Sequence, residues 1–208
     1  AIATMNGDNE QYFSEPPPFM SQTAETLAAL DDRLRGLLRD YARREPAHDA
    51  LAAEFGTLLD DPEDPFRRER LAGHFTASCW LVSADGQRLL LTHHRKLQRW
   101  LQLGGHADGD RDLARVALKE AEEESGLSGV VLEDPAIFDL DKHWIPERKD
   151  VPGHWHYDVR FVIRALGGEA FVLSEESLDL AWRPVTEVAA DPASDESMQR
   201  MARRWLAR

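Results

Sequence analysis

The sequence predicts an α+β fold, a mixed β-sheet with a helical extension ahead of it. Three observations lead there. Strand-like and helix-like segments follow one another without a regular βαβ rhythm. No internal repeat is present. A stretch with apolar residues three and four apart precedes the first strand-like run, and Pro62 and Pro65 separate the two. The chain has 208 residues, 42% of them apolar, which suits one full domain plus an extension and a core that needs no staples.

Residues 1–20 carry Pro16, Pro17 and Pro18 among scattered polar side chains and are expected to form a flexible leader. Residues 21–65 read as a helical arm. From Thr23 onward, Leu27, Leu30, Leu34, Leu37, Leu38 and Tyr41 make one apolar stripe. Pro46 interrupts it, and Leu51, Phe55 and Leu58 give a second, shorter helix. The arm is read as a hairpin packed on the main domain, with a homodimer contact or a substrate lid as alternatives. Residues 66–208 form that domain. Phe75–Val82 and Arg88–His93 make a hairpin around Ala84-Asp85-Gly86. A short apolar segment, Trp100–Leu103, ends in Gly104-Gly105. A helix follows over Asp112–Glu124, with Asp112 as N-cap and Gly126 as its stop. Ile137–Leu140, His156–Ala165 and Phe171-Val172 are expected strands, and Ser194–Leu206 a closing helix.

The charge narrows the function. Against 38 Asp and Glu stand 25 Lys and Arg, a formal net charge of −13, which argues against gripping a nucleic-acid polymer by counterion release. No apolar run approaches a membrane span and Ala1–Glu10 lacks a signal-peptide pattern, so no membrane partner is expected. The single cysteine, Cys79, fits a reducing, cytoplasmic setting.

The densest chemical signal is Lys119-Glu120-Ala121-Glu122-Glu123-Glu124-Ser125-Gly126-Leu127. On a helix, Glu120 and Glu124 lie one turn apart on one face with Glu123 beside them, while Leu113, Ala117 and Ala121 line another. Like charges so placed repel. The segment is either a solvated acidic face or a seat for a hard divalent cation, which takes carboxylate oxygens. Six of the eight histidines also gather in short stretches: His93-His94, His106, His143, and His154 with His156. His154, His156 and Asp158 share one face of a strand, where Asp158 is placed to orient an imidazole.

From Gly105-His106-Ala107-Asp108-Gly109-Asp110-Arg111 through Lys119-Glu120 to Gly126-Leu127, the sequence resembles the Nudix box: Gly, five residues, Glu, seven residues, Arg-Glu, aliphatic, any, Glu-Glu, any, Gly, aliphatic. Leu103-Gly104-Gly105 leads in as the family does, and Leu180–Val185 looks like its closing strand and turn. Gly73–Ser78, Gly104–His106 and His154–Phe161 look like those of a bacterial subgroup. The resemblance spans roughly residues 70–190 and leaves the arm unexplained. It departs at two positions, where Arg111 replaces the box's first Glu and Lys119 its Arg. Those two normally pair, so Asp110 or Asp112 is expected to supply the missing brace.

The resemblance implies a mixed sheet sandwiched between helices and a metal-dependent hydrolysis of a pyrophosphate bond, in a nucleoside diphosphate linked to another moiety. It implies Mg²⁺ or Mn²⁺ held by Glu120, Glu123, Glu124 and the Gly104 carbonyl, and a base at Glu123, Glu175 or Glu176. Arg95, Lys96, His106, His154 and His156 are candidate contacts to a small-molecule diphosphate substrate, with His154 and His156 expected to face the acidic helix. Trp100, Trp144 and Trp155 are candidates to stack a base. A catalytically weak nucleotide-binding module is the alternative that Arg111 and Lys119 raise. A diphosphate isomerase of the same family would need a catalytic cysteine, and Cys79 falls in a predicted core strand.

Overall fold

The computed structural model describes residues 26–94, 98–148, 151–173 and 177–208. Helix α1 (Leu27–Arg44) opens them, and the Thr26 side chain caps it by accepting from the Ala29 amide at 3.2 Å. A 3₁₀ turn at Pro46–His48 leads into α2 (Asp49–Leu59). The domain then runs β1 (His74–Val82), β2 (Arg88–His94), β3 (Arg99–Leu101), β4 (Gly104–His106), α3 (Leu113–Ser125), β5 (Val130–Leu132), β6 (Asp139–Ile145), β7 (His154–Ala165), β8 (Ser177–Pro184), α4 (Val185–Ala190) and α5 (Glu196–Leu206). No helix among the described residues is long and apolar enough to cross a membrane.

β1 is the axis of one mixed sheet. It lies parallel to β7 from His74↔His156 to Val82↔Arg164, and antiparallel to β4 from Thr76↔His106 to Ser78↔Gly104. β5 and β6 add antiparallel to β7, while β3 and β8 flank β2. Side chains alternate across these strands and so build two cores. On one face Phe75, Ala77, Cys79 and Leu81 pack with Ala117 and Ala121 of α3 and with Leu34, Leu38 and Phe55 of the arm. On the other, Trp80, Val82 and Val162 meet Val188 of α4 and Met198 and Met201 of α5. Helices therefore cover both faces, the sandwich that the resemblance implied.

Both arm helices enter the first of these cores. Leu34, Leu38, Tyr41 and Phe55 are buried at 4% exposure or less. Each such side chain contributes about 1.5–3 kcal/mol, so packing holds the arm closed. Leu27, counted in the predicted stripe, is the first residue of α1 and is 62% exposed, so the buried part of the stripe begins at Leu30. Phe171-Val172 is not a strand. Its backbone instead closes over the end of α3, where the Val172 amide donates to the Ser125 carbonyl at 2.7 Å.

Candidate active site

α3 is placed by its ends. The Asp112 carboxylate accepts from the Arg115 amide at 3.2 Å, and Gly126 stops the helix at φ +65°, a conformation that suits glycine. The small residues Ala117 and Ala121 let α3 approach the sheet closely. Glu120 then lies directly over β4. A methyl group built on Gly105 would stand 2.6–2.8 Å from the carbon and both oxygens of its carboxylate. Glu124, half-buried, lies one turn further along the same face of α3. Burial first, and then the charges of Glu124 and Glu120, push the Cys79 thiol on β1 well up from its usual range. Glu123 turns outward, 59% exposed, with its carboxylate 3.0 Å from Lys119 Nζ. Two carboxylates over a glycine strand are the oxygen-rich donor set that a hard divalent cation requires, so the residues fit the implied ion.

The two glycines separate activity from stability. The atoms nearest a methyl at Gly105 belong to the movable end of Glu120, whereas one at Gly104 would meet the Ser78 hydroxyl and also backbone, Ser78 Cα at 2.6 Å and Ala77 O at 2.7 Å. Gly105→Ala is expected to lower turnover at least tenfold with melting temperature little changed. Gly104→Ala is expected to cost stability outright, by roughly 1–3 kcal/mol, the range for overpacking. Thermal denaturation and steady-state kinetics on both variants check the split.

The loop between β4 and α3 is braced differently from the expectation. Asp110 takes Arg115 in a two-point contact, 2.8 and 2.6 Å, and Asp112 takes Arg33 of α1 at 2.8 Å. Neither reaches Lys119 in place of the missing Glu. Arg111 turns instead toward the arm. Its guanidinium donates to both oxygens of Asp31 at 2.7 Å and to Asp64 at 3.3 Å, and lies over the Phe66 ring at 4.7 Å. Lys119 satisfies itself on Glu123. The substituted positions thus have separate partners, and the arm supplies the carboxylate that the box lacks.

His106, His154 and His156 do converge, and His74 joins them. Alternation along β1 and β7 puts His74, Thr76, Ser78, His156, Asp158 and Arg160 on one face. Along β4, Gly105 faces Glu120, so His106 falls on the opposite face, with its ring 5.2 Å from His74 and 5.0 Å from His156. The expectation that these rings face the acidic helix is therefore corrected, because β4 itself lies between them. Asp158 does not orient an imidazole either. It accepts from Thr76 at 3.0 Å, Ser78 at 2.8 Å and Arg160 Nε at 2.8 Å, beneath the cluster. Burial, followed by neighbouring positive charge, holds His106 down to about 4. Burial and the surrounding histidines hold His156 down to about 2.

Arg95, Lys96, Glu175 and Glu176 lie outside the described residues. Of the tryptophans, Trp100 is partly buried against the α4–α5 core, while Trp144 (51% exposed) and Trp155 (38%) meet edge-on at 5.3 Å. His74 and Asp31 were not among the sequence candidates. Both owe their place to long-range packing that no local pattern carries.

A family model described as the NUDIX domain matches residues 73–205. Solved structures of similar fold include a MutT protein from Methanosarcina mazei, 16% identical over 66% of this chain and 96% of that one, with a TM-score of 0.51. Others are an Ap4A hydrolase from C. elegans (16%, covering 64% and 95%, TM-score 0.49) and a NUDIX-family hydrolase from Clostridium perfringens (21%, covering 64% and 96%, TM-score 0.49). No curated protein matches by sequence. The match of the domain over most of the chain, on a fold that seats box carboxylates above a glycine strand, makes this protein a member of the Nudix family and a pyrophosphohydrolase.

Proposed function

We propose that the protein hydrolyses a nucleoside diphosphate linked to another moiety, with Mg²⁺ or Mn²⁺ held by Glu120, Glu124 and the Gly104 carbonyl, and with Glu123, turned outward onto Lys119, left out of the ligand set the sequence suggested. The observation that carries this reading is the Glu120 carboxylate seated on the bare Cα of Gly105, with Glu124 half-buried on the same side. When bound, the cation would neutralise phosphate oxygens and lower the pKa of a water at phosphorus. The chain's own part is to hold two carboxylates against their mutual repulsion and to take the water's proton. Glu123, kept beside Lys119, is the base within the box. Glu175 and Glu176, which precede β8 in the sequence, are the alternatives.

Cys79 does not support the isomerase reading. It is fully buried, its thiol is 3.4 Å from the Leu103 carbonyl, and burial pushes the thiol up, away from the reactive thiolate. The deciding experiment is a turnover screen of nucleoside diphosphate derivatives with Mg²⁺ and with Mn²⁺, reading by mass spectrometry which bond takes oxygen from labelled water. Cleavage of the P–O–P bridge is expected. Nucleotide binding without turnover in either metal would favour the non-hydrolytic module. Glu123→Gln beside Glu175→Gln and Glu176→Gln then locates the base, whose loss is worth roughly 10²–10⁴-fold.

A further inference from the structure

We propose that His74, His106, His154 and His156 form a second metal centre, a four-histidine site for Zn²⁺ or a similar first-row transition ion. It lies on the face of the sheet opposite Glu120 and does not depend on the hydrolytic reading. One nitrogen from each ring lies within 4.8 Å of the others, and three adjacent strands contribute: β4, β1 and β7. His74 and His156 are direct partners across β1 and β7, and His106 enters diagonally from β4.

The hydrogen bonds select the ligand atoms. His74 Nδ1 is 3.1 Å from the Arg70 carbonyl, and His154 Nδ1 is 2.8 Å from the Pro152 carbonyl. A carbonyl only accepts, so each Nδ1 carries the proton and each Nε2 keeps its lone pair. Backbone carbonyls fix metal-binding imidazoles in this way, setting both tautomer and ring orientation. His74 is 1% exposed, and its Nε2 is buried with no hydrogen-bond partner among the described residues. Such an atom is costly unless something accepts its lone pair. His154 Nε2 stands 3.1 Å from His156 Nε2, a separation that two ligands of one ion also have when each bond is about 2.0–2.1 Å.

The chemistry chooses the ion class. Four neutral imidazoles without a carboxylate suit Zn²⁺, Cu²⁺, Ni²⁺ or Fe²⁺ and give Mg²⁺ nothing it prefers. Four protein ligands close a tetrahedral site, leaving no open position for water, so the ion's role is structural. It would pin β4, the strand carrying Gly104 and Gly105, to β1 and β7. Since members of this family need a hard cation at the carboxylates, the protein would hold two unlike metals on the two faces of one strand.

The test uses the untagged full chain, stripped with a chelator and titrated with Co²⁺ alone. Intense visible bands of tetrahedral Co²⁺ are expected to reach an end point at one equivalent, to be displaced by Zn²⁺, and to persist in excess Mg²⁺. Glu124→Gln is expected to leave the titration unchanged. His74→Ala with His154→Ala is expected to abolish the bands while circular dichroism retains the fold. His156→Gln provides a milder variant, expected to weaken Co²⁺ at least tenfold. A folded wild-type chain that gives no tetrahedral bands would overturn the site, and so would bands that survive undiminished in the histidine variants.

Discussion

Glu124→Gln is expected to lower Mg²⁺-dependent turnover by about 10³-fold or more while the protein stays folded. The magnitude follows from the several kcal/mol of charge stabilisation that a carboxylate-held cation gives a phosphoryl transition state, at about 1.4 kcal/mol per factor of ten. Glutamine keeps the shape of the side chain and removes its charge, so the loss falls on the cation and not on the packing of α3 against β1. Glu120 stands one turn away on the same face, and relief of that repulsion is expected to leave the metal-free melting temperature unchanged or slightly raised. Kinetics at limiting and saturating Mg²⁺ together with thermal denaturation check the prediction. A variant that retains most of its activity at limiting Mg²⁺ would remove Glu124 from the ligand set.

What could be read in the sequence depends on range. The acidic face of α3, its Asp112 cap and its Gly126 stop are written in thirteen consecutive helical residues and the one residue on either side of them, and local periodicity reports them well. The hairpin of β1 and β2 is equally local. The histidine cluster was half legible. His154 and His156 share a face by strand alternation, but His74 meets His156 only through the parallel pairing of β1 with β7, 82 residues apart in the chain. The face the rings occupy was misread for the same reason. It depends on which side of β4 receives α3, and spacing within either element says nothing about that. β5 and α4 were missed because three- and six-residue elements carry too few positions for a period to show. The short apolar pair Phe171-Val172 looked like a strand, yet it spends its backbone closing the end of α3.

The brace between the arm and the box loop gives the second large effect. From sequence alone, Arg111→Glu looks restorative, since it would return a carboxylate opposite Lys119. The structure reverses the expected sign. Arg111 is 16% exposed and Asp31 21%, so their paired contact is largely shielded from water, and a glutamate there would face Asp31 and Asp64 together. Breaking such a shielded pair costs about 3 kcal/mol. In a chain of this length that is roughly 6–12 °C of melting temperature. Turnover is expected to fall as well, because the loop that Arg111 holds leads directly into α3 and its carboxylates. The charge swap separates this account from simple damage. Asp31→Arg combined with Arg111→Glu is expected to recover at least half of the lost melting temperature and part of the turnover, since the same two positions are again oppositely charged. If the double variant is no better than Arg111→Glu alone, the arm does not brace the box through this pair. Full activity and stability in Arg111→Glu itself would show that Lys119 can leave Glu123 and restore the family's own contact.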